Sequence, residues 1–368
     1  MPYPPVPDSL NYIFCDHPPS FAHAVNFLRR CPFLILDCEG YDLGRAGGCV
    51  TLICVGTPLA EHIFIFDVIS PFLTRRDIDG LLDLFTDANI LKVVWDGRMD
   101  YLELWTTYGV ALSHVLDLQV AEVVSRASVR GEGEPQRLKR LHNSVVHASM
   151  TSKYGLRLDG LHSVIGLQRC WKECGFPPGG GKDRESPPHL RSLSKSFRFL
   201  FAAEVMEMHK RLGSSMWKDR PLSEQLLQYA AKDILIIGVL LPNFYERGWI
   251  PRAQHACSQL LGQCQRYVSA HRDQGKSPQH DVFKPCAIMP LDVLNTPTGS
   301  THQCASCNRW LSLFAYSTRS GVAPNGSGPY NNAPPVATLR SPLCRLCQLL
   351  ALKAGHTVGD RYILTGSP

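Results

Sequence analysis

Three apolar runs crowd into residues 33–68: Phe33–Cys38 (FLILDC), Cys49–Gly56 (CVTLICVG) and Ile63–Val68 (IFIFDV). Each is short, rich in Ile, Leu, Val and Phe, and bounded by turn residues, so each reads as a buried strand. Gly40, Gly44, Gly47, Gly48 and the Thr57-Pro58 step make the three a hairpin meander. Strand–helix units follow. Ile78–Phe85 reads as a helix, Ile90–Trp95 as a fourth strand and Met99–Tyr108 as a helix, and Val115–Val124 begins extended and turns helical. This order predicts an α/β domain on a mixed sheet flanked by helices.

The chain has 368 residues, enough for two or three domains, and at 44% hydrophobic it is no disordered chain. A net charge of +6 permits a nucleic-acid partner without demanding one. The longest apolar run, Ile234–Leu241, is far short of the roughly 18 residues of a spanning helix, so no membrane partner is expected. The start, MPYPPVPDSL, lacks the basic and apolar regions of a signal peptide. Fourteen cysteines in such a chain point to reduced thiols and metal ligands, hence to an intracellular protein of nucleus or cytoplasm.

Composition divides the chain. Residues 1–20 are Pro-rich and read as a flexible tail, and residues 21–255 as one domain. That domain carries an insertion at about 168–215, densest in Gly, Pro, Ser and charge over 175–198, with helices at Phe199–Leu212 and Glu224–Leu241. Residues 256–300 read as a linker and 301–358 as a small separate module.

Three acidic features stand out in the larger domain. Asp37 and Glu39 lie two apart on a strand and so share one face, while Cys38 points the other way into the core. Carboxylates side by side repel, and a cation is the usual reason to keep them there. Asp100 follows the fourth strand at a helix start, with Asp96 just before it. Tyr229 and Asp233 are four apart and share a helical face. Taken singly, each has an ordinary explanation: a solvated strand end, a helix cap, an amphipathic helix.

Their order, with the residues around them, resembles the DEDDy, ribonuclease D-like branch of the DEDD 3′–5′ exonucleases. Leu36–Gly40 looks like its first motif and Lys92–Asp100 (KVVWDGRMD) its second. Leu116–Ala121 and Leu158–Leu161 resemble the segments that follow, the latter a short helix in the family. Trp217–Leu222 (WKDRPL) and Tyr229–Asp233 (YAAKD) look like the last motif and its lead-in. The Asp96-Gly97-Arg98-x-Asp100 form is similar to the Egalitarian-like subgroup, some of whose members resemble binding proteins with degraded sites.

The resemblance implies a ribonuclease H-like fold and a metal-dependent 3′–5′ exonuclease acting by a two-metal mechanism. Asp37, Glu39, Asp100 and Asp233 would hold two Mg²⁺ or Mn²⁺ ions. Tyr229 would orient the attacking water, and Glu39 would also meet the terminal 3′ hydroxyl. The substrate would be single-stranded nucleic acid, RNA or DNA, cut to nucleoside 5′-monophosphates. Lys182, Arg184, Lys195 and Arg198 of the insertion, with Arg191 and the aromatic Phe197 and Phe199, are candidate substrate contacts or simply a solvated loop. The alternative is a catalytically weak nucleic-acid-binding adaptor on the same fold. A metal phosphatase of another fold would not need the WKDRPL and YAAKD segments.

Cys304-Ala-Ser-Cys307 and Cys344-Arg-Leu-Cys347 are two CxxC knuckles, suited to one tetrahedral, structural Zn²⁺ in a treble-clef or zinc-ribbon module. The 36 residues between the pairs exceed the usual spacing, and the Gly/Pro/Asn-rich stretch 321–335 absorbs the excess. His302 and Cys286 are alternative ligands, and the module is the expected contact for a protein partner. His142 and His147 read as loop or surface histidines.

Overall fold

A computed structural model describes residues 10–176, 213–277, 287–322, 336–356 and 362–365. The candidate contacts Lys182, Arg184, Arg191, Lys195, Phe197, Arg198 and Phe199, the 199–212 helix and Cys286 lie outside these residues. The chain forms two compact units, Met1–Arg130 with Ile165–Gln279, and Gly131–Val164 with His280–Pro368.

The first unit is built on a six-stranded mixed sheet. Its strands are β1 (Ile13–Cys15), β2 (Phe33–Tyr41), β3 (Cys49–Gly56), β4 (Ile63–Asp67), β5 (Leu91–Val94) and β6 (Val115–Asp117), in the order β1-β4-β3-β2-β5-β6. The β2–β3–β4 meander is antiparallel, as its short loops require, and β1, β5 and β6 add in parallel. Helices α1 (Pro18–Leu28), α2 (Arg75–Thr86) and α3 (Arg98–Tyr108) cover the face that carries Leu34, Leu36 and Cys38. Alternation along β2 therefore sends Ile35, Asp37 and Glu39 to the other face.

A long helix covers that other face. It spans Glu224–Glu246 (α8 in chain order, after α4 at Leu118–Ser128, α5 at Glu134–Ser144, α6 at Ala148–Lys153 and α7 at Leu167–Glu173). A Cβ at Gly238 would lie 2.9 Å from the Ala60 side chain and 3.1 Å from Ile35, so glycine lets this helix approach β2 closely. Among the described residues it alone is long and apolar enough to cross a membrane, and 67% of its most apolar window is buried in the fold.

The second unit has its own core, in which Leu141, Val145, Val146, Leu158 and Leu161 pack with Ile288, Leu291, Leu311, Tyr316 and Leu349. Its strands are a hairpin of β7 (Thr301–Gln303) with β8 (Trp310–Ser312), and a sheet β11-β10-β9 made of β9 (Tyr316–Val322), β10 (Val336–Cys344) and β11 (Ile363–Leu364). Helix α10 (Arg345–Lys353) starts where β10 ends.

These boundaries differ from those expected. Residues 131–164, assigned above to the 21–255 domain, belong to the second unit, because the apolar side chains of α5 complete its core. The expected linker 256–300 begins with the helix α9 (Gln254–Val268), whose Val268 packs in the first core. The expected tail 1–20 contains β1 and the start of α1. Leu158–Leu161 is a turn rather than a helix, with Leu161 N–H donating to Leu158 O at 3.1 Å and Gly160 at φ +73°.

Candidate functional site

Asp37 and Glu39 project from β2 and Asp233 from α8, and one carboxylate oxygen from each lies within 4.8 Å of the others. β2 holds this geometry through a register shift against β3 just past Glu39. At the shift, a Cβ on Gly40 would sit 2.2 Å from Cys49 O, so only glycine fits.

Asp100 comes from a different element and is not one of this three-oxygen group, but it is tied to β2 beside it. At the first turn of α3, its Oδ1 accepts the main-chain N–H of Cys38 at 2.7 Å. Cys38 itself is buried in the core, on the face opposite the acids, as its position between Asp37 and Glu39 predicted.

The electrostatics are those of an acid cluster short of positive charge. Burial, then the carboxylates of Asp100, Glu39 and Asp233, hold Asp37 well above the usual carboxylate range. Burial, then Asp233 and Asp100, do the same to Glu39. Burial pushes Asp100 and Asp233 up to about 6. Hard oxygen donors that resist ionising together are a fitting set for a divalent cation.

Tyr229 stands one turn before Asp233 on α8, half-buried, with its ring 6.2 Å from that of Trp217. Burial and the carboxylates of Asp233, Glu39 and Asp37 raise its phenol far above the ordinary value. It is therefore a hydrogen-bond donor at any physiological pH. Trp217 is buried, and its segment is fastened by Arg220, whose guanidinium holds Asp67 of β4 at 2.6 and 2.7 Å.

Asp96 does not join the cluster. It lies in the turn before α3 at φ +55° and pairs with Arg98, Oδ1 to Nε at 2.5 Å and Oδ2 to Nη2 at 2.8 Å. The Arg98 guanidinium lies 4.6 Å from the Tyr267 ring centre.

Several supporting residues were not singled out from the sequence. Asp117 ends β6, caps α4 through Gln119 N–H at 2.9 Å, and accepts Gly97 N–H at 3.0 Å and Asp96 N–H at 3.2 Å. It thereby fixes the turn that delivers Asp100. Glu103, one turn beyond Asp100, is fully buried between Gly44 N–H and Lys276 Nζ, both at 2.7 Å. Lys232 is buried beside Asp233 with its Nζ 5.4 Å from the Tyr229 ring centre. An Asp closing a short strand just before a helix is a capping signal, so Asp117 could have been found. Glu103 and Lys232 carried no such mark.

In the second unit the four knuckle cysteines converge, with all four sulfurs within 4.8 Å of one another. Cys304 follows β7, and Cys344 caps α10 with Cys347 in its first turn. The main-chain N–H of Cys344 donates to Cys304 Sγ at 3.3 Å, and Cys307 and Cys344 sulfurs are 4.0 Å apart. Hydrogen bonds from Cys307, Cys344 and Cys347 pull the Cys304 thiol well below its ordinary value. Four sulfurs at about 2.3 Å from a tetrahedral zinc stand about 3.8 Å apart, so the set fits that ion. His302 is outside the cluster, its ring edge-on to Tyr316. His142 lies half-buried on α5 rather than in a loop, and His147 accepts Ser149 N–H at the start of α6.

The family model for 3′–5′ exonuclease matches residues 12–156. Among curated proteins, the chain is 28% identical over 137 residues to the mouse (Mus musculus) piRNA biogenesis protein EXD1, a match covering 36% of this chain and 23% of that protein. The chain thus spans less than a quarter of the length of that relative. Among solved structures, RNase D of Trypanosoma brucei superposes with a TM-score of 0.50 at 19% identity, covering 82% of this chain and 83% of that one. The same enzyme in complex with RNA U12 gives 0.50 at 20% identity, covering 80% and 82%. The family model bears on residues 12–156 and the solved structures on the fold, and none of them on the Egalitarian-like subgroup or the cysteine module.

Proposed function

We infer that this chain, which carries a 3′–5′ exonuclease domain on an RNase D-like fold, trims single-stranded 3′ ends and releases nucleoside 5′-monophosphates one at a time. The observation that carries this reading is the meeting of Asp37, Glu39 and Asp233 oxygens, with Asp100 anchored to the strand between the first two. Asp37, Glu39, Asp100 and Asp233 would hold two Mg²⁺ or Mn²⁺ ions. Bound there, such ions neutralise the scissile phosphate and lower the pKa of a bound water.

The chain's own groups do the rest. The Tyr229 phenol stays protonated and orients the attacking water by donating or accepting a hydrogen bond. Glu39 meets the terminal 3′ hydroxyl. Asp100 cannot drift, because moving its carboxylate would orphan the Cys38 N–H. The RNA bound to T. brucei RNase D makes RNA the first substrate to try. In the second unit, Cys304, Cys307, Cys344 and Cys347 would hold one Zn²⁺ with a folding role.

The test is product analysis. RNA and DNA oligomers of one sequence, each with either a free or a 3′-phosphorylated end, are incubated with Mg²⁺ or Mn²⁺. Nucleoside 5′-monophosphates from the free 3′ end support the reading. Internal fragments, or binding with no monophosphate under any metal, would overturn it and favour the adaptor.

A further inference from the structure

We propose that the second unit is itself a binding module for single-stranded nucleic acid, through the exposed rings of Trp310 and Phe314 and the unit's exposed cations, Arg319 and Lys353 among them. This goes beyond the hydrolytic reading and does not depend on it.

Charge is divided unevenly along the chain. The second unit carries 12 Lys and Arg against 6 Asp and Glu, and the first 26 against 26, so the whole excess of +6 lies in the second. Between Asp292 and Asp360 there is no Asp or Glu at all, while Arg309, Arg319, Arg340, Arg345 and Lys353 fall there. Of these, Arg340 and Arg345 are buried and Arg309 is paired with Asp292, which leaves Arg319 and Lys353 exposed. The net excess of positive charge in this unit is the electrostatic footprint of a polyanion partner.

Within it, two large rings face water. Trp310 is 59% exposed and Phe314 is 52% exposed, although their neighbours Leu311 and Ala315 are buried in the core. The cations nearest the rings are engaged inside the unit: Arg345, 5.1 Å from the Phe314 ring centre, is buried and pairs with Asp159 at 3.4 Å, and Arg309, next to Trp310 in the chain, is held by Asp292 at 2.5 Å. Arg319 is exposed and held 4.1 Å from the Tyr362 ring centre. Open rings on a unit with exposed cations suit unpaired bases, whose faces stack on the rings while phosphates meet exposed groups such as Arg319 and Lys353. A protein partner would use the rings as well, but would not call for a unit with twice as many Lys and Arg as Asp and Glu.

A circular oligouridylate separates this site from the exonuclease cluster, because it has no 3′ end to trim. Its binding to the full chain, zinc retained and no Mg²⁺ added, is followed by fluorescence anisotropy. Trp310→Ala and Phe314→Ala should each weaken binding about tenfold, and Trp310→Phe, which keeps a stackable ring, should restore most of it. Arg319→Glu should weaken binding and flatten the slope of log Kd against log salt by about 0.7 or more. Zinc content, melting temperature and trimming of a dinucleotide should stay at wild-type values. If the circle does not bind, or binds the folded Trp310→Ala/Phe314→Ala variant as tightly as wild type, the proposal is overturned. The latter result would leave the rings to a protein partner.

Discussion

The main-chain N–H of Cys38 donates to the carboxylate of Asp100 at 2.7 Å, across 62 residues of sequence. The bond exists because β5 pairs with β2 only from Phe33 to Ile35. Past that point β2 keeps β3 on one edge but has no strand on the β5 edge, and β5 turns through Asp96 and Gly97 into α3. The first turn of α3 then supplies a side-chain acceptor where the sheet leaves a donor open. The acidic end of β2 is thus tied to a third acid by the fold itself.

Asp100→Asn tests this double role. The amide oxygen still accepts Cys38 N–H, so the melting temperature should change little. Hydrolysis should fall by about two orders of magnitude, the loss typical of removing one preorganised electrostatic group. Asp100→Ala should in addition lose about 1–3 kcal/mol of stability, measured by denaturant unfolding, because it orphans a buried donor.

Tyr229→Phe keeps the ring against Trp217 and removes only the phenol. The prediction is a fall in kcat of about 10²-fold, with KM and melting temperature close to wild type. An equal loss spread into KM would instead assign Tyr229 to substrate binding.

Asp117 gives a pH signature. Burial, then the Asp96 carboxylate, pushes it up to about 7 against the pull of three N–H donors. A carboxyl raised in the folded state stabilises fully below its unfolded value of about 4. That contribution is lost as pH rises through about 7. Asp117→Asn does not titrate, so its melting temperature should gain on wild type from pH 4 to 7.5 and run parallel above. A difference independent of pH would refute the assignment.

Zinc should be found at one ion per chain by elemental analysis. Cys344→Ser should remove it and unfold the second unit, because Cys344 supplies a sulfur, the N-cap of α10 and the end of β10 at once. Retention of zinc by this variant would mean the ligand set is different.

Much of the first unit was legible because its signals are local. Apolar runs flanked by glycines mark β2, β3 and β4, and period-two alternation alone separates Asp37 and Glu39 from Cys38. What escaped depends on distant partners. β1 is three residues long in a Pro-rich stretch, and is a strand only because Ile13–Cys15 pair with Phe64–Phe66. The pattern of α5 says that Leu138 and Leu141 bury a face, but not that the core they join is completed by β8, β9 and α10. Asp96 and Asp100 look alike as sequence. Arg98, two residues on, holds Asp96 in the turn, and the Cys38 N–H, left open by the sheet, ties Asp100 to β2 between Asp37 and Glu39.

The measurement that bears most directly on the account is a time course of a 5′-labelled single-stranded RNA, with the matching DNA alongside, for wild type and Asp37→Asn. With Mg²⁺ or Mn²⁺ the wild type should give a ladder that shortens from the 3′ end, abolished by chelation and by the substitution. Full-length RNA and DNA after prolonged incubation with every divalent ion tried, from a protein that is folded and binds the strand, would contradict it.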